Sequence, residues 1–251
     1  MRTKIVPTNQ LKENEIKIMF DLMCQYYEKV SEQTFRADLF EKQKAILLLG
    51  PAGEIQGFST ILQSSMKTRG EDFIALYSGD TVLNREYWGN GALAMAFGRY
   101  LMHVKLQNPF TNVYWFLISK GYKTYLLMTN NFPTHFPRYE KATPKSYEEV
   151  MDTFYMSRFD SCYSANEKLI RFDKNKSSYL KSYVAEIAEE LRKNPRIAYF
   201  EKKNPEWAQG VELACVAKVS FWIPLRYVLK RILKFFKPRI LSSLGAKPKA
   251  L

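Results

Sequence analysis

The chain has 251 residues, 46% hydrophobic and 25% charged, which supplies a substantial core and excludes a disordered chain. Its three cysteines, Cys24, Cys162 and Cys215, lie far apart without CxxC spacing; this excludes a disulfide framework or zinc site and sets a reducing, cytoplasmic compartment as the expectation. The formal net charge of +13 calls for an anionic partner, while the N-terminus lacks a signal-like apolar core and no run of about 18 uncharged apolar residues predicts a membrane span.

Thr3–Val6 reads as a first strand. Glu13–Val30 carries Ile16, Met19, Phe20, Met23 and Tyr27 at helical spacing, and Ser31 caps a second predicted helix over Glu32–Lys42. Ala45–Leu49 and Ile55–Gln63 flank Gly50-Pro51-Ala52-Gly53 as a hairpin. Phe73–Leu83 is the next strand, interrupted at Ser78, Gly79 and Asp80 as a bulge or bend would interrupt it. Leu93, Phe97, Leu101 and Val104 then stripe a helix over Gly89–Leu106, and Val113–Ser119 is a strongly β-type run.

Between that bulged strand and that helix stands Glu86-Tyr87-Trp88-Gly89-Asn90-Gly91-Ala92. The first N–H groups of a helix have no intrahelical partner, and glycines there let a phosphate approach the backbone. The segment resembles the acyl-CoA-binding loop of the GNAT superfamily of N-acyltransferases, whose pattern is Gln or Arg, two residues, Gly, one residue, then Gly or Ala. Glu86 occupies the slot of the family's Gln or Arg, and Arg85 lies one place early. The run of helix, helix, three antiparallel strands, helix and strand also matches the family order.

The resemblance implies a GNAT-like α/β fold, a mixed and mostly antiparallel sheet flanked by helices. It implies an acyl-CoA donor whose pyrophosphate rests on the main-chain N–H groups of Trp88, Gly89, Asn90, Gly91 and Ala92, with Arg85 and Tyr87 beside them, and no metal. It further implies a carboxylate base near the centre of the fourth strand and a tyrosine acid on the helix after the fifth. Asp80 is the better base candidate and Glu86 the other nearby carboxylate, while Tyr122 and Tyr125 are the acid candidates.

The two closing strands of such a domain are predicted at Arg196–Glu201 and Val211–Val219. That leaves an inserted or enlarged segment over 132–194, with a helix near Tyr147–Arg158 and another at Ser178–Arg192, which either shapes acceptor specificity or serves as structural cover. His135 reads as a loop residue able to take a proton near neutral pH or as a loop histidine without a role, and His103 sits late on its helix near the C-terminal carbonyls. Two histidines and scattered carboxylates form no metal cluster, no Ser-His-Asp motif and no GxxxxGK[ST] loop, which disfavours a hydrolase or kinase.

From Trp222 to the end there are eight cations (Arg226, Lys230, Arg231, Lys234, Lys237, Arg239, Lys247, Lys249) and no acid, over an apolar stripe of Leu225, Val228, Leu229, Ile232, Leu233 and Phe236. Three readings compete: the stripe packs on the protein's own core, it lies on an anionic membrane, or the cations meet nucleic acid or an acidic carrier protein. One-sided charge favours the membrane over the core, and the lack of a recognition motif counts against nucleic acid. The chain thus divides into a GNAT-like domain over 1–220 and a basic amphipathic tail over 221–251, whose segment 221–241 is the helix that meets an anionic membrane under the second reading. The predicted function is transfer of an acyl group from acyl-CoA, or from an acyl carrier protein, to the amine of a small-molecule or lipid-like acceptor; the expected location is cytoplasmic, and peripheral on the inner face of the membrane under the membrane reading of the tail. The alternative is a non-catalytic binding protein of the same fold, attached to a membrane or acidic partner by its tail.

Overall fold

Two kinds of periodicity alternate along the chain, and the elements follow them. The computed structural model describes residues 1–173, 179–180 and 186–222. In chain order these hold β1 (Arg2–Pro7), α1 (Glu13–Tyr26), β2 (Tyr27–Glu28), α2 (Glu32–Glu41), β3 (Lys44–Leu49), β4 (Ile55–Lys67), β5 (Asp72–Leu83), α3 (Ala92–Gln107) and β6 (Asn112–Ser119). There follow α4 (Tyr122–Asn131), β7 (His135–Phe136), α5 (Lys145–Phe159), β8 (Tyr163–Ser164), β9 (Leu169–Ile170), β10 (Tyr179–Leu180), α6 (Glu189–Arg192), α7 (Pro195–Lys203) and β11 (Glu212–Lys218).

The main sheet runs β1-β3-β4-β5-β6-β11-β9-β8, with β7 also on β11. Every pairing in it is antiparallel except β5 with β6, so the predicted mixed, mostly antiparallel sheet is what forms. A parallel neighbour needs a crossover, and α3 supplies it. One face of the sheet packs Ile46, Leu76 and Trp115 against Leu93, Phe97, Leu101 and Val104 of α3. The other receives α1 and α2 through Ile16, Met19 and Leu39, and α5 through Val150, Met151, Phe154 and Tyr155. The Phe154 ring stacks on Phe116 at 4.1 Å.

Two details of the sheet create the site. The parallel register runs from Phe73↔Asn112 to Tyr77↔Phe116 and stops, although β5 continues to Leu83 and β6 to Ser119. The β4–β5 register also shifts between Ser59 and Ile61, so Gly79 and Asp80 stand against the single residue Thr60. That is the bulge predicted at 78–80, and the bent strand leaves its parallel neighbour there.

Several expectations need correction. α1 ends at Tyr26, because Tyr27 turns extended and Tyr27–Glu28 pair with Tyr179–Leu180. The strand predicted at Arg196–Glu201 is the helix α7: Pro195 fills its first turn, the Asn194 side chain accepts from the Arg196 N–H at 3.0 Å, and Ile197 and Phe200 bury one turn apart. The helix predicted over Ser178–Arg192 is confined, among described residues, to Glu189–Arg192. The place of the missing closing strand is taken by β7 and β9, which share the outer edge of β11. Segment 132–194 is therefore built into the sheet and, through α5, into the core. The predicted tail helix lies outside the described residues beyond Trp222.

Candidate active site

The loop after β5 is shaped by two glycines in the left-handed region, Gly89 at φ +78° and Gly91 at φ +75°. Local bonds consume some of its main-chain donors. The N–H of Trp88 bonds Arg85 O, that of Asn90 bonds Tyr87 O, and that of Ala92 bonds the Asn90 side-chain oxygen at 3.2 Å. Among the described residues nothing pairs with the N–H groups of Gly89, Gly91, Leu93 or Ala94. The free donors thus alternate along the loop and continue into the first turn of α3, where the helix dipole adds to them. Trp88 is anchored by its Nε1–H to Leu83 O at 2.8 Å; Tyr26 packs on it, and the Lys123 ammonium lies 4.6 Å from its ring centre.

Beside this loop the parting of β5 and β6 opens a cavity of about 510 Å³. Residues 77–83 of β5, Leu117 and Ile118 of β6, Lys120, Gly121, Lys123, Thr124 and Leu127 leading into α4, Tyr26 and Tyr27 of the α1 end, and Glu212 of β11 line it. A thin ligand arm between the two strands would pass from the loop donors to Asp80.

Asp80 lies half-buried at the inner end. Burial first, and the Asp38 charge second, push its carboxyl up to about 7 against the lowering pull of Lys42 and Lys120. Lys42 is 2% exposed; its ammonium bonds Asp38 Oδ1 at 2.6 Å and Asp38 O at 3.1 Å. Asp38 is also 3.5 Å from Arg158 of α5. Glu212, buried and 3.4 Å from Lys120, is raised by burial, partly offset by that lysine. Gly79 has no room for a side chain, since an added Cβ would meet Thr60 Oγ1 at 2.5 Å and Lys42 Cε at 2.8 Å. A carboxylate able to exchange a proton near neutral pH thus faces the cavity, supported by charges drawn from α2, α5 and the ends of β6 and β11.

The sequence candidates fall unevenly around this site. Trp88, Gly89 and Asp80 line the cavity, whereas Arg85 and Glu86 line a second cavity of about 530 Å³ with Gln25, Tyr26 and Asn84. Tyr87 packs against the core on the α3 face. Tyr122 does the same, and Tyr125 is 1% exposed with its hydroxyl donating to Pro137 O at 3.0 Å. Neither tyrosine reaches the cavity, because the α4 face that carries them turns to the core. His135 is not on an open loop: it is 3% exposed in β7, its ring nitrogen 2.7 Å from Phe132 O, and burial lowers its proton affinity. His103 is exposed on α3.

Sequence reasoning missed Lys42, Tyr27, Lys120 and Glu212. The one available signal was a lysine at 42 between an amphipathic helix and an apolar strand, where its neighbours predict burial. Among the described residues no group of three or more His, Cys, Asp or Glu is placed to hold a metal ion.

No family model matches the sequence, and no curated protein does. Among solved structures the chain is similar to a Trypanosoma brucei acetyltransferase, at 17% identity over 56% of this chain and 99% of that one, with a TM-score of 0.38. It is similar to Escherichia coli ElaA at 16% identity over 56% and 93% of the two chains, TM-score 0.38. A third is the GNAT family N-acetyltransferase YhbS from Escherichia coli in complex with CoA, at 14% identity over 57% and 79%, TM-score 0.35. What the cleft of the present chain can do is decided by its own residues.

Proposed function

We propose that the protein is an N-acyltransferase that moves an acyl group from a CoA thioester to an amine. The observation that carries this reading is the coincidence, in one cleft, of parted parallel strands, a loop with unpaired N–H groups at one end, and a carboxyl group of near-neutral proton affinity at the other. The free donors at Gly89, Gly91, Leu93 and Ala94 suit a pyrophosphate, and the cleft between β5 and β6 suits the extended arm behind it. The amine nitrogen attacks the thioester carbonyl while Asp80 takes its proton; the C–S bond then breaks, and the thiolate leaves. Positioning supplies much of the acceleration. Lys120, at the carboxyl end of β6 and lining the cleft, is the cation that meets the developing thiolate, a role the cleft does not offer to Tyr122 or Tyr125.

The acceptor amine would meet the thioester at Asp80, the cavity-lining carboxylate that the Asp38–Lys42 and Asp38–Arg158 ion pairs support from behind. An acyl carrier protein would deliver the same phosphopantetheine arm but not the adenine nucleotide, so comparing CoA with that arm alone separates the two donors. Calorimetry with CoA, followed by an acetyl-CoA turnover assay against a panel of amines, tests the reading. Absence of CoA binding by the folded protein would refute the donor assignment; binding without turnover on any amine would favour the non-catalytic alternative.

A further inference from the structure

The end of the sheet opposite the cleft carries an apolar cluster that the acyltransfer reading does not use. Phe110, at the turn between α3 and β6, is 100% exposed, Leu106 on the last turn of α3 is 64% exposed, and Phe221 and Trp222 just after β11 are 47% and 69% exposed. They belong to one end of the molecule. The N–H of Val219 bonds Val113 O at 2.9 Å, which brings the end of β11 to the start of β6. Lys105 donates to Pro109 O at 3.0 Å and Thr111 O at 2.8 Å, and its ammonium is 5.2 Å from the Phe221 ring centre.

Positive charge lies beside these side chains, with the Lys105 ammonium against the Phe221 ring and that of Lys218 5.9 Å from the Tyr114 ring centre on the other face of the sheet. Lys105 is 8% exposed, and burial together with the neighbouring Lys218 lowers its proton affinity. Among the described residues neither lysine is paired with a carboxylate. An anionic surface would relieve that repulsion. Directly beyond Trp222 the sequence continues with eight cations and no acid.

We infer that this end of the domain, with Leu106, Phe110, Phe221 and Trp222 at its tip beside Lys105 and Lys218, docks on the anionic surface of a lipid bilayer. Aromatic and aliphatic side chains enter the headgroup boundary while the cations stay at the phosphate level. Nucleic acid would use the cations and leave the apolar tip unexplained, since most such contacts go to phosphates. The geometry also orients the enzyme. The tip adjoins the amino ends of β5 and β6 and the cleft lies past their paired stretch, so at about 3.3 Å per residue the eight residues Asn112–Ser119 hold the cleft roughly 20 Å or more from the lipid. A docked molecule therefore offers its cleft to amines in solution, in place of the lipid-like acceptor suggested by the tail.

Full-length protein sedimented with vesicles of phosphatidylcholine alone, or of phosphatidylcholine with one quarter phosphatidylglycerol, tests the inference. The expected result is binding to the mixed vesicles that fades with salt, little binding to the neutral ones, and roughly tenfold weaker partition of a Leu106→Ser, Phe110→Ser double variant. Both residues are exposed, so the fold tolerates the change, which circular dichroism and CoA binding verify; Phe40→Ser, exposed elsewhere on α2, should partition like the unsubstituted protein. Equal binding to both vesicle types, no binding to either, or unchanged binding by the double variant would overturn the inference.

Discussion

The two ends of the cleft are built on opposite plans. The loop end is a single stretch of chain whose unpaired groups are main-chain N–H groups, and its shape rests on glycines at φ +78° and +75°, the Trp88 anchor and the Asn90 cap. The Asp80 end gathers Asp38, Lys42, Asp80, Lys120, Arg158 and Glu212, residues up to 174 positions apart, and it is built of side chains, burial and mutual charge. Backbone donors make a site that survives most substitutions. A buried charge network makes one that answers to almost any.

The largest break in this contrast should come from Asp80→Asn. Loss of a general base costs on the order of 10²–10⁴ in turnover, with CoA affinity unchanged because the donor loop is untouched. In the unsubstituted protein the rate should climb with pH through about 7, as Asp80 ionises, and then level off. Stability carries the opposite slope. Asp80 binds its proton up to about 7 when folded but only to about 3.8 when unfolded, so the folded state holds the extra proton between those values and loses stability as pH rises across them. Asp80→Asn should abolish that slope and, above pH 7, be more stable than the parent. A pH–rate profile and denaturant melts at several pH values check both; parental turnover in the variant would remove Asp80 from the reaction.

Gly91→Val should strike the other end. A β-branched residue at φ +75° costs roughly 1–3 kcal/mol of strain and rotates the neighbouring N–H groups away from a common target. CoA affinity measured by calorimetry should fall at least tenfold while the pH midpoint of any residual turnover stays where it was. Equal affinity in a folded variant would dissociate the loop from CoA.

Lys42→Met is a finer probe. It removes a cation that lowers the Asp80 carboxyl, so the acid limb of the rate profile should move to higher pH, with CoA binding unaffected. An unmoved limb would mean that Lys42 serves the fold and not the base. The smallest effect is predicted for Tyr125→Phe, which deletes only a hydroxyl bonded to Pro137 O away from the cleft. Turnover should stay within about twofold and stability fall by about 1 kcal/mol; a large loss of kcat would place Tyr125 in the chemistry after all.

The same contrast explains what was legible in advance. The strand–loop–helix around EYWGNGA announces itself because glycine, apolar spacing and an interrupted strand are local signals, and the bulge at 78–80 formed where the sequence pattern broke. Even there, which N–H groups remain free was hidden: Asn90 turning back to cap Ala92 is a choice made by side-chain geometry. Arg196–Glu201 was misread because Ile197–Phe200 is a short apolar and aromatic run between two charges, as a buried strand would be, while Pro195 and the Asn194 cap begin a helix. Tyr125 points away from the cleft, which the sequence could not show because a helix position alone does not say which face meets the core.

By itself the sequence determined the order of the main strands and helices from β1 to β6, the glycine loop between β5 and α3, and the excess of cations at the end, since each depends on neighbours in the chain. Tertiary structure alone decided that β7 and β9 share the edge of β11, that β5 and β6 part beyond Tyr77, and that the space between them is lined by Asp80, Lys120 and Glu212 with Lys42 beneath. The physical reason is range: hydrogen-bond pattern and hydrophobic period act over a few residues, whereas burial and Coulomb interaction join whatever the fold brings within a few ångströms.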